Sequence, residues 1–127
     1  MRVLIVEDEL LVAMEMESIL KSNGVAVSGC ASSISEAQKI VRQQECNFAL
    51  VDINLADGDS GLSLAGWLAE QNIPSLHVSG NCPADRSSTS AVGCLQRPFS
   101  PRDLIGALKA VQGDMPPHSR PSGLDLF

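Results

Sequence analysis

Five polar side chains follow short apolar runs in this 127-residue chain. The run VLIV precedes Glu7 and Asp8, and FALV precedes Asp52. Ser79 comes directly after SLHV, and Arg97 directly after CLQ. In an open parallel sheet, ligands bind beyond the carboxyl ends of the strands. If the runs are strands of such a sheet, three carboxylates, one hydroxyl and one cation meet at a single edge.

This combination of side chains predicts phosphoryl chemistry assisted by a metal ion. Crowded carboxylates repel one another unless a cation lies between them, and hard oxygen ligands with room for water suit Mg²⁺. Once the metal offsets that charge, a carboxylate can act as a nucleophile toward a phosphoryl group, and Asp52 is the natural candidate. Ser79 and Arg97 would contact the oxygens that carry the transferred charge.

The elements that would position these residues alternate along the chain. Short apolar runs predict strands at 3–6, 25–28, 48–51, 75–78 and 94–96. Stretches of helical period separate most of them. This alternation predicts an α/β fold with a mostly parallel sheet.

Four helices carry clear signals. The first has an apolar stripe that ends before Gly24, and the second begins with the capping-box spacing of Ser33 and Glu36. The third follows Gly61. The last has Ser100 as N-cap with a proline after it, and should end near residue 112.

The stretch 84–93 is the weak place in this pattern. Its run of Ser87, Ser88, Thr89 and Ser90 competes with a helical backbone for hydrogen bonds. We therefore expect a helix there to be short, mobile or missing. Nearby His77 lies inside a strand candidate and is expected to be a hydrogen-bonded histidine of the core or sheet edge.

Length and composition restrict the remaining possibilities. The chain fits one domain over residues 1–112, and the Pro- and Gly-containing stretch 113–127 is expected to be a loose tail. A net charge of −6 without a basic cluster argues against nucleic-acid binding. No apolar stretch approaches a membrane span, so a cytoplasmic protein without membrane insertion is expected. Four widely spaced cysteines are expected to be reduced and mostly buried: Cys30, Cys46, Cys82 and Cys94.

Four segments carry a family resemblance. VLIVEDE, LVDINL, HVSGN and QRPFS resemble the signature segments of the response-regulator receiver domain, over about residues 3–111. The resemblance implies a flavodoxin-like, doubly wound sheet of five parallel strands in the order 2-1-3-4-5. It also implies that Asp52 accepts a phosphoryl group from a phosphohistidine on a histidine kinase or histidine phosphotransfer protein, and that output occurs through protein contacts.

The same resemblance implies a role for each site residue. Asp8 would bind Mg²⁺ directly, Glu7 would act through water, and the backbone carbonyl of Asn54 would complete the metal site with Asp52. Ser79 would supply the hydroxyl that follows the phosphoryl group. The protein would then be no enzyme in the usual sense, but a phosphoryl acceptor with at most slow self-dephosphorylation.

Three positions depart from the family pattern. Arg97 stands where Lys is usual, Cys94 stands where many receivers carry the Tyr or Phe that swings inward, and Ala56 replaces a Pro. Arg and Lys are not interchangeable at a phosphate site, because the planar guanidinium grips two oxygens and needs more room. We therefore hypothesise that signalling relies on reordering of the segment near residues 84–93, gated by Ser79.

Three alternatives to these interpretations stay open. A pseudo-receiver adaptor would bind its partner without phosphorylation. A small Mg²⁺-dependent phosphatase would turn over a substrate, with Asp57 or Asp59 as the candidate general acid. Arg97 could also form only a surface ion pair with Asp57, Asp59 or Asp103, which would contribute little to stability.

Overall fold

The computed structural model describes residues 1–55 and 60–127. It contains six strands and four helices within those residues. They are β1 (Arg2–Val6), α1 (Leu10–Ser22), β2 (Ala26–Ala31), α2 (Ile34–Gln43), β3 (Phe48–Val51), α3 (Ser60–Glu70), β4 (Ser75–Ser79), β5 (Gly93–Gln96), α4 (Pro101–Val111) and β6 (Leu124–Leu126). Short 3₁₀ turns occur at Arg86–Ser88 and Pro117–Ser119.

The strands form one sheet in the order β2-β1-β3-β4-β5-β6. The first five are parallel, which confirms the predicted α/β fold and the order 2-1-3-4-5. The sixth pairs antiparallel with β5 at the edge. Every residue of β3 is buried, because helices cover the sheet on both faces.

Two apolar cores lie on the two faces of the sheet. One contains residues of α1 and α4, such as Met16 and Leu104, packed with Val3, Ile5 and Leu50. The other contains residues of α2 and α3 packed with alternate strand residues, among them Leu4 and Val51. Successive strand residues face opposite cores, so β1 and β3 are packed on both faces.

The helix ends agree with the capping signals in the sequence. Gly24 follows α1 with a φ of +76°, a conformation that favours glycine. The Ser33 hydroxyl caps α2 by accepting a hydrogen bond from the Glu36 backbone N–H at 3.3 Å. At α4 the box is complete, since Ser100 and Asp103 each accept a hydrogen bond from the other's backbone N–H.

The C-terminal stretch differs from the expected loose tail. Its last residues form β6, and Asp125 pairs with Cys94 in the middle of the β5–β6 ladder. A Cβ on Gly93 would lie 2.5 Å from the carbonyl oxygen of Asp125, so the glycine allows the close approach of β6. The sequence did not predict this strand, because it is three residues long and depends on pairing with the β5 edge of the folded sheet.

The segment before β5 has little regular structure, as its serines predict. Residues 84–92 form only the 3₁₀ turn Arg86–Ser88, which Asp85 caps by accepting from the Ser87 backbone N–H at 2.9 Å.

Among the described residues, none of the helices combines the length and the apolar character that a membrane span requires.

The cysteines correct one prediction. Cys82 and Cys94 form a disulfide, whereas Cys30 and Cys46 are free. The expectation of four reduced cysteines is therefore wrong for one pair. Their 12-residue separation gave no signal, because only the fold brings the loop after β4 onto β5. The expected burial also fails for Cys30, which is exposed on β2.

Candidate functional site

The carboxyl ends of the parallel strands deliver the predicted residues to one edge of the sheet. Glu7 and Asp8 follow β1, and Asp52 follows the adjacent β3. Ladder hydrogen bonds continue past the strand ends, since the Glu7 N–H donates to Ala31 at 2.8 Å and the Asp52 N–H donates to Val6 at 2.9 Å. Hydrogen bonds to neighbouring strands therefore hold the backbone of Glu7 and Asp52 in place.

Three carboxylates form a compact cluster at this edge. Oxygens of Glu7, Asp8 and Asp52 lie within 4.8 Å of one another. Glu7 and Asp52 are buried, whereas Asp8 is exposed to solvent. Hard oxygen donors with one solvent-facing member suit Mg²⁺, which keeps several of its waters when bound. The residues present therefore fit the ion that receiver domains bind in their acidic pocket.

Arg97 places its guanidinium against this cluster. Its Nη2 forms an ion pair with Glu7, and its Nη1 lies 3.8 Å from Asp52 Oδ2. The Arg97 side chain is only 22% exposed, and its Nε has no hydrogen-bond partner among the described residues. The cation thus offsets the acidic charge from within the site.

The contacts of Arg97 within the described residues are not those of a surface ion pair with Asp103. Asp103 caps α4 through the backbone N–H of Ser100. The other two candidate partners, Asp57 and Asp59, lie outside the described residues. Arg97 instead makes a partly buried contact with the two carboxylates that follow β1 and β3.

The environment of Glu7 favours its protonated form. Burial raises the pKa of the Glu7 carboxyl to about 7, helped by a hydrogen bond and like charge from Asp52. The Arg97 guanidinium lowers that pKa but does not outweigh the desolvation. Near pH 7 the Glu7 carboxyl is therefore only partly ionised, and a bound divalent cation would favour its ionised form.

Ser79 and Asn54 join the site through backbone contacts. The Ser79 hydroxyl is buried and accepts a hydrogen bond from the Asn81 N–H at 3.0 Å, and its carbonyl accepts from the Arg97 N–H at 2.9 Å. The Asn54 N–H lies 3.4 Å from Asp52 Oδ1, and its side chain is exposed. Asn54 therefore lies beside Asp52, and Ser79 is hydrogen-bonded to the backbone of Arg97.

His77 of β4 links β3, the strand that precedes Asp52, to the serine-rich segment. The sequence did not predict this link. It is fully buried, with Nδ1 3.0 Å from the Val51 carbonyl oxygen and Nε2 2.7 Å from Thr89 Oγ1. Because a carbonyl only accepts, Nδ1 carries the proton and Nε2 accepts from the Thr89 hydroxyl. Burial lowers the pKa of His77, which keeps the ring neutral. The expected hydrogen-bonded histidine is confirmed.

An exposed apolar patch lies next to the acidic cluster. Leu10 is 71% exposed and Leu11 is 80% exposed at the start of α1, and Met14 is half exposed one turn later. These three residues, called the α1 patch below, begin two positions after Asp8. Apolar side chains grouped in this way mark surfaces that bind other molecules.

Comparison with known families decides what this arrangement is. Residues 3–109 match the response regulator receiver domain, which covers most of the chain. The chain belongs to this receiver-domain family. Receiver domains are signalling modules of two-component systems and are generally not enzymes.

Curated relatives support this membership. The chain is 44% identical to the phyllosphere-induced regulator PhyR of Methylorubrum extorquens over 79 residues, which cover 61% of this chain and 30% of PhyR. It is 34% identical to the aerobic respiration control protein ArcA of Escherichia coli strain K12 over 107 residues, which cover 80% of this chain and 44% of ArcA. The chain thus spans less than half the length of these relatives.

Solved receiver structures share the fold. The PhyR response regulator REC domain of Erythrobacter litoralis superposes with a TM-score of 0.77 at 26% identity, covering 91% of this chain and 93% of that one. A CheY-like receiver domain protein from Methanospirillum hungatei gives a TM-score of 0.75 at 25% identity, with coverages of 89% and 94%.

Proposed function

We propose that this receiver domain accepts a phosphoryl group on Asp52, in a reaction that requires Mg²⁺, and signals through protein contacts. The donor would be a phosphohistidine on a histidine kinase or a histidine phosphotransfer protein in the cytoplasm. The observation that carries this proposal is the cluster of Glu7, Asp8 and Asp52 at the sheet edge, with Arg97 turned into it.

Asp52 is the carboxylate best placed to act as nucleophile. A carboxylate oxygen would attack phosphorus, the P–N bond to the donor imidazole would break, and the imidazole would keep the bonding electrons. The rigid end of β3 holds Asp52 in place for this attack, which lowers the entropic part of the barrier. An acyl phosphate on Asp52 would be the product.

The surrounding residues would stabilise the transferred charge. Asp8, Asp52 and the Asn54 carbonyl would hold Mg²⁺, with Glu7 acting through water, and the ion would neutralise charge on the phosphoryl oxygens. Arg97 would turn from Glu7 to those oxygens, which its guanidinium can bind in pairs. The Ser79 hydroxyl would exchange its contact with the Asn81 N–H for a hydrogen bond to the phosphoryl group.

The α1 patch would receive the donor protein. A phosphohistidine must reach the open edge above Asp52, so its carrier must cover the surface beside Asp8. The patch of Leu10, Leu11 and Met14 adjoins that edge and suits the apolar face of a partner helix that carries the histidine. Output would then follow from movement of the segment at 84–93, which contacts His77 through Thr89.

Intact mass after incubation with Mg²⁺ and acetyl phosphate, or with a phosphohistidine donor, tests this function. One added phosphoryl group is expected for the wild-type chain and none for Asp52→Asn or with EDTA. Asp114→Asn is a matched control, because it neutralises an exposed carboxylate of the C-terminal stretch. Retention of the adduct in Asp52→Asn would contradict the proposal.

The Arg97 contacts favour a second candidate function. A guanidinium that already contacts Glu7 and Asp52 offsets part of the acidic charge and would help a phosphorylation-independent adaptor to fold without a metal ion. Absence of any adduct with both donors, despite measurable Mg²⁺ binding, would support that role. Release of many phosphates per chain from a small phosphate ester would instead support a phosphatase, whose candidate acids Asp57 and Asp59 lie outside the described residues.

A further inference from the structure

The disulfide lies at the border of the candidate site. Cys82 stands three residues after Ser79, in the loop that leaves β4. Its partner Cys94 lies within β5, opposite His77 of β4. The bond therefore ties the loop after the Ser79 hydroxyl to the strand that ends next to Arg97. No step proposed for Asp52 uses this pair.

The two sulfur-bearing residues differ in accessibility. Cys94 is fully buried, whereas Cys82 is partly exposed. Of the two cysteines, Cys82 is therefore the one that a dithiol in solution would attack. The Cα atoms are 6.0 Å apart, inside the range that a disulfide spans without backbone displacement, roughly 4.4–6.8 Å. Both the thiol and the disulfide state are compatible with this backbone.

Within the segment enclosed by the disulfide, residues 83–90 have few other contacts with the protein. The residues after them are held more firmly, since Ala91 is buried and Val92 forms backbone hydrogen bonds with Ser75 and Phe127. Four consecutive hydroxyl residues at 87–90 offer no apolar surface for packing. The Thr89 hydroxyl bonds His77 at 2.7 Å, and Arg86 pairs with Asp125 on the exposed surface. A surface ion pair and one hydrogen bond each contribute about 1 kcal/mol or less. The covalent bond is thus the strongest constraint on residues 83–90.

We propose that Cys82–Cys94 is a reversible redox site, whose substrates are protein or small-molecule dithiols, and that its reduction releases the segment 83–90. One thiolate of the dithiol attacks Cys82 Sγ and forms a mixed disulfide, and Cys94 leaves as a thiolate that takes up a proton. The second thiol, after losing its proton, attacks the mixed disulfide and frees Cys82 as a thiolate, which takes up a proton. Two electrons pass to the protein, and the dithiol becomes a disulfide.

This redox site would control the proposed signalling. The Ser79 hydroxyl accepts from the Asn81 N–H, and the Gly80 carbonyl accepts from the Gln96 side chain at 2.7 Å, so the loop between Ser79 and Cys82 is held from both sides. The disulfide is a further constraint on this loop, and reduction removes it. If Asp52 is phosphorylated as proposed, reduction should change the lifetime of the phosphoryl group as well as the mobility of the segment.

Thiol counting and amide exchange on the full chain test the redox site without phosphorylation. Alkylation in denaturant followed by intact mass should show two thiols after air oxidation and four after treatment with dithiothreitol. Amides of residues 83–90 should exchange at least about tenfold faster in the reduced protein, with β1 and β3 unchanged. Four reactive thiols after oxidation, or matching exchange profiles in the two states, would overturn the proposal.

Two double variants separate this pair from the other cysteines. Cys30→Ser/Cys46→Ser removes the two free thiols and should keep the full response to dithiothreitol. Cys82→Ser/Cys94→Ser should exchange rapidly at residues 83–90 under all conditions and show no response to dithiothreitol. If Asp52 takes up no phosphoryl group, the exchange result still decides the redox site. If Asp52 is phosphorylated but the reduced and oxidised proteins exchange alike, only the redox site fails.

Discussion

The two halves of the sheet meet at the candidate site and are stabilised by different means. On one side, β1 and β3 are buried on both faces and end in Glu7, Asp8 and Asp52. On the other side, β5 is bordered by a disulfide, a serine-rich segment and the short antiparallel strand β6. The proposed nucleophile Asp52 therefore has a rigid support, whereas Arg97, the proposed contact of the phosphoryl oxygens, follows a strand at the less regular side of the sheet.

Replacing a core leucine in each half measures this difference most strongly. Leu50 of β3 is fully buried, whereas Leu124 of β6 is half-buried and packs at the margin of the same core. Leu50→Ala should reduce the free energy of unfolding by about 2–5 kcal/mol. Leu124→Ala should reduce it by about 1 kcal/mol, because less apolar area is lost from a packed environment. Urea unfolding provides the measurement, and equal losses would contradict the comparison.

Arg97 connects the two halves, and its removal should have opposite effects on metal binding and on chemistry. Arg97→Gln keeps a polar side chain but removes the cation that contacts Glu7 and Asp52. Phosphorylation of Asp52 should slow by about 100-fold or more, since a charged contact to the phosphoryl oxygens is lost. Mg²⁺ should bind several-fold more tightly, because no internal cation competes for the carboxylates.

Phosphorylation kinetics and calorimetric Mg²⁺ titration separate these two effects. Arg97→Lys is the matched control, because it keeps the positive charge and changes only its shape. It should bind Mg²⁺ like the wild-type chain and differ in rate alone. Weaker Mg²⁺ binding by Arg97→Gln would show that the guanidinium does not compete with the metal.

Glu7 should make the rigid half sensitive to pH. The pKa of its carboxyl rises from 4.5 to about 7 on folding, mainly through burial. The folded protein therefore holds this proton more tightly than the unfolded chain does. The stability that results is complete below about pH 4.5 and is lost as the pH rises through about 7. The wild-type chain without metal should lose stability relative to Glu7→Gln over this range, as denaturant titrations can measure.

Mg²⁺ affinity should follow the opposite trend with pH. The ion competes with the Glu7 proton, so affinity should rise with pH up to about 7, by at most about tenfold per unit. Glu7→Gln should lack this dependence. Calorimetry at about pH 6 and about pH 8 in buffers of different ionisation enthalpy counts the released protons. An equal pH dependence in the variant would assign the proton to another group.

The smallest effect is expected at the link between the halves. Thr89→Val removes the hydroxyl that donates to His77 Nε2 and leaves the size of the side chain almost unchanged. Local opening of residues 84–92 should become easier by about 1 kcal/mol, or roughly fivefold faster amide exchange. Ser90→Ala is the matched control, because Ser90 is exposed. Similar exchange in both variants would show that His77 does not hold the segment.

The sequence predicted the half of the sheet with β1 and β3 better than the half with β5 and β6, for physical reasons. Asp52 follows a continuous apolar run, and Ser100 with Pro101 starts a helix by local capping, so both signals act over a few residues. The Cys82–Cys94 bond depends on partners brought together by folding. Its geometry comes from the finished sheet and leaves no periodic trace in the sequence.

The same distinction applies to the candidate site. Strand ends identified the positions of Glu7, Asp8 and Asp52, because parallel strands must end at a common edge. The contact of Arg97 with Glu7 was not predicted, since side-chain direction depends on packing around β5. The contact between His77 and Thr89 joins residues of a strand and an irregular segment, which follow no shared pattern.

The central claim is that Asp52 carries the phosphoryl group, and chemical trapping tests it most directly. Borohydride reduces an acyl phosphate to the alcohol, so phosphorylated protein treated in this way should contain homoserine at position 52. Peptide mapping by tandem mass spectrometry locates the changed residue, with protein incubated without donor as the control. Homoserine at position 52 alone is the predicted result. Homoserine at another acidic position, such as Asp8, or phosphate retained on His77 or Ser79, would contradict the account.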